Sequence, residues 1–358
     1  MGSLTCMLPD DIMVDILKAL PLETIHRFKA VSKTWEQFLS CYNFMRIFSI
    51  SPSLETQPLY VFLGENCNER HLLYANDFEL NNPPSSQKTL FHNKGLDQVA
   101  CSNGMVCCLI RTKMSWRKSC SFEIGNPLIQ REFIPLPEFE FDVINFAFHF
   151  NPRMRDLLLL VNSRCFRNQH SLSNFRAVQI FDSITGEWKR TRAKPPFHPG
   201  VNSMLLSIGT TCYGFSSDWN SVVAFDMKKE KWQKIPTPMR PIMGDIRIQD
   251  REGKLCIMLV TKEKEAHIWV LDEERTWVEQ VRADLKEFGL RYAFVYPTLW
   301  IGDTFLLRSR GKFMAYDTNS NQMETFAGPL EWVGDFYTYC PTLLTCKFGA
   351  SYKRLKLR

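Results

Sequence analysis

A chain of 358 residues, 45% hydrophobic and 13% aromatic, with 44 basic residues against 38 acidic ones, describes a folded protein with room for one large or two moderate domains. It contains no run of eighteen apolar residues to cross a bilayer and no basic-then-apolar leader, and Cys6 stands where a myristoylation signal needs serine or threonine, so no membrane partner is expected. Twelve cysteines without a C-x-x-C pair and seven histidines without an H-x-x-x-H lack the spacing of a metal site, and neither metal nor cofactor is expected.

The chain opens on a helical stretch. Leu8-Pro9 stands before Asp10-Asp11, which suits a helix start, because proline is preset for the first turn and carboxylates favour the positive end of the dipole. The spacing predicts a first helix from about Pro9 to Leu20, with Ile12, Met13, Ile16, Leu17 and Leu20 on one stripe. Pro21 ends it. A second short helix carries Ile25, Phe28 and Val31, and a third, capped by Ser32, carries Trp35, Phe38 and Leu39. About forty residues bury too small a fraction of their surface to be stable alone, so the surplus apolar surface predicts a docking partner.

Leu8-Pro9, Ile16-Leu17, Leu20-Pro21, Phe28, Val31, Lys33, Trp35 and Asn43-Phe44 together resemble the F-box pattern. Ser32 stands where that family often has cysteine. The resemblance implies docking on a Skp1-type (Skp1-like) adaptor, and through it on the cullin and RING subunit of a ubiquitin ligase. It places the adaptor contacts at Leu8, Pro9, Ile12, Ile16, Leu20, Val31 and Trp35. The plainer alternative is a helical cap that packs inward and binds nothing.

After a linker at 51–58, the chain from residue 59 repeats itself. Asn126, Asp182, Asp226, Asp272 and Asp317 each follow an apolar strand and open a polar turn before a large apolar residue, at a period of about 45 residues over the last four. Gly104, Gly209, Gly253 and Gly302 sit in hairpin turns upstream, where glycine accepts positive φ, and Asn151-Pro152 plays that part between them. Such short strands fit propeller blades. Counting Leu72–Asp77 as a divergent first hairpin gives six blades, the first lacking its innermost strand. The apolar run Tyr339–Phe348 is the predicted closing strand. Seven blades or an irregular sandwich are the alternatives.

Cys101-Ser-Asn-Gly, Ile124-Gly-Asn-Pro and the Asp-turn-Trp repeats resemble the kelch-like, F-box-associated propellers of plant proteins. The double glycines of standard kelch blades are absent. The fold expected is therefore α+β and multidomain: a three-helix F-box over 1–50, an all-β propeller over 59–350 for target binding, and a basic tail at 351–358.

Enzyme signatures are missing. No G-x-S-x-G, Walker or G-x-G-x-x-G motif occurs. Cys107-Cys108 reads as buried strand, the aspartates as turn residues that bond their own backbone, and Trp188, Trp232 and Trp277 as blade packing. Between Arg153 and Lys194, nine basic residues face three acidic ones, which suits an acidic partner or, more plainly, solvated loops. Direct nucleic-acid binding is not expected.

The leading reading is the substrate receptor of an SCF-type ubiquitin ligase, non-catalytic and cytoplasmic or nuclear, with an unknown protein substrate. A non-proteolytic co-regulator of a transcription factor, and a propeller enzyme or small-molecule receptor using its central channel, are the alternatives. Segments 138–146, 163–176, 192–202 and 236–246 are the candidate target-binding loops.

Overall fold

The computed structural model describes residues 10–18, 20, 22–41, 44–45, 59–66, 69–75, 87–93, 95–114, 117–127, 133–139, 141–165, 175–192, 205–239, 244–290, 294–309, 312–327, 333–339, 342, 344–346 and 348. Three short helices come first: α1 (Asp10–Lys18), α2 (Leu22–Phe28) and α3 (Lys33–Ser40). The first is shorter than its apolar pattern predicts. Leu20 already lies in a bend, its N–H reaching back to the Leu17 carbonyl. Ser32 caps α3 as expected, its hydroxyl accepting the Trp35 N–H at 3.2 Å.

Among the described residues the remainder is β-strand, apart from one 3-10 turn at Leu285–Phe288. The first sheet begins with β1 (Leu59–Asn66), β2 (Glu69–Ala75) and β3 (Gln87–Asn93). Five sheets of consecutive strands follow: β4 (Leu96–Ser102), β5 (Met105–Met114), β6 (Arg117–Gly125) and β7 (Ile134–Pro135); β8 (Asp142–Asn151), β9 (Asp156–Cys165), β10 (Phe175–Asp182) and β11 (Glu187–Arg190); β12 (Leu206–Ile208), β13 (Thr211–Phe215), β14 (Ser221–Asp226) and β15 (Lys231–Pro236); β16 (Gly244–Arg251), β17 (Lys254–Thr261), β18 (Glu265–Leu271) and β19 (Trp277–Asp284); β20 (Tyr296–Ile301), β21 (Thr304–Ser309), β22 (Lys312–Asp317) and β23 (Gln322–Ala327). Finally β24 (Val333–Tyr339) returns to pair with β1, giving the first sheet the order β24-β1-β2-β3. The strands that begin the sheets touch around a ring, β4 to β8, β12, β16, β20, β24 and back to β4. This is a closed all-β propeller.

Two expectations need correction here. The closing strand is Val333–Tyr339, not Tyr339–Phe348, and the two share only Tyr339. Pro341 offers no N–H to a ladder, whereas Phe336, Tyr337 and Tyr339 belong to a run of high strand preference. The candidate loops also shrink, because 142–146 belongs to β8, 163–165 to β9, 175–176 to β10 and 244–246 to β16. Residues 166–174, 193–202 and 240–243 lie outside the described residues.

Burial follows position in the blade. Strand β17 is buried from Leu255 to Thr261 without alternation, because a neighbouring blade covers each face, while the outer strand β15 buries Ile235 alone. The turns behave as their residues dictate. Asn103 and Gly104, and Glu252 and Gly253, take positive φ in successive pairs, the geometry of a two-residue hairpin whose twist matches the flanking strands. Asp182, Asp226 and Asp317 each accept the N–H two residues on through Oδ1, at 2.8–2.9 Å.

Asn126 departs from that pattern. It is fully buried, donates to the Thr342 and Leu344 carbonyls at 2.7 and 2.9 Å, and accepts the Tyr339 hydroxyl at 3.1 Å. The C-terminal segment thus leaves β24 and runs over the second and third blades, where the Arg155 Nε donates to the Thr345 carbonyl at 2.8 Å. Leu344 and Cys346 sink into the core beside Phe122, Phe148 and Phe181.

Blades are joined by recurrent polar ties. Trp188 on β11 donates Nε1–H to the Pro137 carbonyl of the preceding blade at 3.1 Å, and Trp277 on β19 does the same to Pro236 at 2.7 Å. Gln249 and the backbone of Trp300 exchange two bonds of 2.8 Å between β16 and β20. Arg111 ties Asp97 at 2.6 Å to Asp142 and the Val143 carbonyl at 2.8 and 2.6 Å, from the second blade to the third. The tryptophans are blade-packing residues.

Asn126→Ala strands two buried carbonyls and a buried hydroxyl, each unmet group costing about 1–3 kcal/mol. It should lower the stability by about 3 kcal/mol or more in urea unfolding, whereas Asp317→Ala, in an exposed turn, should cost about 1 kcal/mol or less.

Candidate functional site

Two regions offer themselves for recognition: the helices and the loop ends of the propeller. The helices enclose a small core of Leu17, Ile25, Leu39 and Phe44, on which Met13, Val14, Phe28 and Phe38 close. Phe38 lies 5.3 Å from the Phe44 ring and 6.4 Å edge-on from Trp35, so aromatic packing holds α3 to the segment after it. This core is filled, yet three large apolar side chains stay outside it. Ile12 is 46%, Ile16 49% and Val31 65% exposed. Ile12 and Ile16 stand four residues apart on α1, hence on one helix face. The apolar stripe of α1 therefore divides, with Leu17 turned in and Ile12 and Ile16 turned out.

The residues predicted to contact an adaptor separate accordingly. Ile12, Ile16 and Val31 are exposed, while Leu20 and Trp35 are half-buried against the helical core. Leu8 and Pro9 lie outside the described residues. Exposure of this kind calls for a partner surface, since apolar side chains gathered on one small unit go without the burial that stabilises them.

Met45 joins the two regions. It packs against the helical core and also against the propeller cluster that includes Leu344 and Cys346, on which Phe348 packs as well. The helices are thereby seated near the C-terminal segment. In the antiparallel blades, the turns between first and second strands and between third and fourth strands share one face, the short-turn face, which carries Asn126 and Arg155. Turns between second and third strands, and the blade-to-blade connections, share the other. The described ends of the four candidate loop segments fall on that opposite, long-loop face.

Several described groups capable of chemistry are spent on structure. Cys107 and Cys108 are fully buried and their thiols are pushed up by desolvation, as strand residues of a packed blade should be. His267 is buried between Glu279, at 2.6 Å, and Glu265, at 3.3 Å, and stacks on Trp269; it sits on β18, the third strand of its blade, away from the central ring. A small cavity between the third and fourth blades is walled by Leu160, Val178, Cys212, Val223 and Phe225, with Asn162 its single amide. Among the described residues, no three of His, Cys, Asp and Glu gather as metal ligands. Asp182, Asp226 and Asp317 are occupied in their turns and form no ring of carboxylates.

The thiols offer a direct check. Iodoacetamide should label exposed Cys41 rapidly in the native protein, and Cys107, Cys108 and Cys256 only after denaturant unfolds the blades, because burial holds their thiols protonated and covered, Cys256 at about 12. Mass spectrometry of the labelled peptides reads the difference.

Comparison with known proteins bears on both regions. Residues 6–46 match the F-box domain, and residues 62–293 match the F-box associated beta propeller domain. F-box only protein 8 of Arabidopsis thaliana is 25% identical over 69% of this chain and 84% of its own length. F-box protein At1g53790 of the same plant is 23% identical over 79% of this chain and 66% of its own, and F-box/kelch-repeat protein At2g43445 is 20% identical over 89% and 76%. With exposed F-box helices at one end and the associated propeller making up the rest, the chain belongs to the plant-type F-box proteins that carry an F-box-associated β-propeller.

Proposed function

We propose that this protein is the substrate-recognition subunit of an SCF-type cullin-RING E3 ubiquitin ligase. One observation carries the reading. The F-box helices have a filled core of their own and still present Ile12, Ile16 and Val31 to solvent, on the same chain as a closed propeller. Those three, with Leu8 and Pro9 preceding them, take the contact with a Skp1-type adaptor, and Leu20 and Trp35 brace the surface from beneath. The propeller takes the protein to be ubiquitylated.

In this role the chain makes and breaks no bonds. Two binding events on one body hold a target near a ubiquitin-charged enzyme carried elsewhere in the assembly, and the effective concentration of the target lysine rises by the arithmetic of linked sites. Seating of Met45 against both cores limits the play between the two sites, which favours one reach over many.

The test is co-expression with a Skp1-type adaptor of the intact chain and of a variant carrying Ile12→Ser, Ile16→Ser and Val31→Ser. Half-exposed side chains of this size contribute roughly 1 kcal/mol each when a partner covers them, so the triple variant should lose about a hundredfold in affinity. Its thermal unfolding should match that of the parent, since none of the three belongs to the helical core. A stoichiometric complex that survives all three changes would overturn the reading.

A further inference from the structure

The C-terminal segment is a strap held to the propeller at two points. Residues 342, 344–346 and 348 lie outside every strand, and side chains take the place of a ladder. Asn126 is the inner anchor, fully buried, its amide on the Thr342 and Leu344 carbonyls. Arg155 is the outer one. Its Nε donates to the Thr345 carbonyl at 2.8 Å and its Nη2 to the Thr345 hydroxyl, while the Cys346 thiol donates back to the Arg155 carbonyl at 3.5 Å.

Arginine is an uneconomical residue for that position. Its N–H closes the β8–β9 turn on the Asn151 carbonyl at 2.8 Å, and its φ of +59° is one that glycine or asparagine adopts with less strain. What arginine adds is a planar fork, whose donors in fixed geometry match a carbonyl and a hydroxyl on one residue. The turn therefore serves the strap that crosses it.

The grip bears on the helices. Leu344 and Cys346, on either side of Thr345, are buried in the cluster of the second and third blades, and Met45 packs on that cluster. Met45 is at the same time part of the helical unit, its N–H bonded to the Cys41 carbonyl at 3.1 Å. Residues 46–58 separate it from β1, and a covalent link of that length sets a reach but no angle. Packing must supply the angle.

Resting on the ligase reading, we infer that Arg155 is a positioning residue. By clamping Thr345 it keeps Leu344 and Cys346 in the cluster that seats Met45, and so fixes the angle at which the adaptor-bound helices stand on the propeller. Ring closure does not depend on the clamp, because β24 ends at Tyr339 and Asn126 holds the strap upstream of Thr345. Pairing of β24 delivers the strap; Arg155 holds its outer half. A fixed angle brings one set of lysines within reach of the ubiquitin-charged enzyme, and a loosened one brings more.

Hydrogen exchange and small-angle scattering of the intact chain, free and with a Skp1-type adaptor, test the inference. In Arg155→Gly, which keeps the left-handed backbone and removes the fork, amides at 344–346 should exchange about tenfold faster or more, with the β1–β24 ladder unchanged. The distance distribution should broaden, while adaptor affinity stays that of the parent. Arg155→Lys should fall between, and Met154→Ser, exposed in the same turn, should change neither reading. Met45→Gln loosens the seat from the helical side and should broaden the distribution by itself, which keeps the test open should Arg155→Gly fail to fold. With cullin and RING subunit added, the ubiquitylated lysines of the chain, mapped by mass spectrometry, should spread to additional sites in Arg155→Gly. An unbroadened distribution while the strap exchanges freely, an unchanged set of modified lysines, or exchange that spreads into the β1–β24 ladder would each overturn it. Failure to bind the adaptor would overturn the ligase reading alone, since exchange and scattering of the free chain still report on the seat.

Discussion

Pairing of β24 with β1 is the constraint on which the rest depends. A ring of sheets has no stable open form, because a missing first strand leaves one blade with an unpaired edge and two neighbours with an uncovered face. Here the bond is made between segments from opposite ends of the propeller, Leu59 opposite Tyr339 and Val61 opposite Tyr337. The same return of the chain delivers Tyr339 to Asn126 and lays Leu344 into the core of the second and third blades. Closure and cross-bracing are therefore one event. The bracing then reaches the helices, since Met45 rests on the cluster that Leu344 and Cys346 complete. Sheet order, tail position and F-box seating all follow from where a single strand pairs.

Much of this was legible in the sequence, and the reasons differ by residue. Asp182, Asp226 and Asp317 were readable because an aspartate that bonds the N–H two residues on settles its role locally. Gly104 and Gly253 were readable for the same reason, positive φ being a property of the residue. Asn126 looked like one more turn residue and is not, because its partners lie more than two hundred positions away. No local pattern distinguishes an amide that caps its own turn from one that holds a distant carbonyl. The closing strand was misplaced because hydropathy favours Thr342–Phe348, whereas the ladder needs donors that Pro341 lacks and pairing partners that only β1 defines.

In the candidate site the division is similar. The apolar stripe of α1 told that a surface wants covering, but not which part of it the helical core already covers. Ile12 and Leu17 are alike in sequence and opposite in burial. Basic residues were visible as an excess between Arg153 and Lys194, yet that interval mixes both faces of the propeller. Arg153 and Arg155 belong to a short turn, Arg164 and Arg176 to the far end of the same blade. Strand alternation separates them, and composition cannot.

The pairing of β1 with β24 also orders events in time. A ribosome delivers the helices, then β1, and must complete everything from β2 to β23 before the partner strand exists. Through that interval the first blade is open and the core that receives Met45 lacks Leu344 and Cys346. The helices that carry the exposed face of α1, by contrast, emerge at the outset, and their own core is complete once Phe44 has been made. Synthesis thus presents the apolar outer face of the helices well before a finished propeller exists, at the stage when the sheets are least protected.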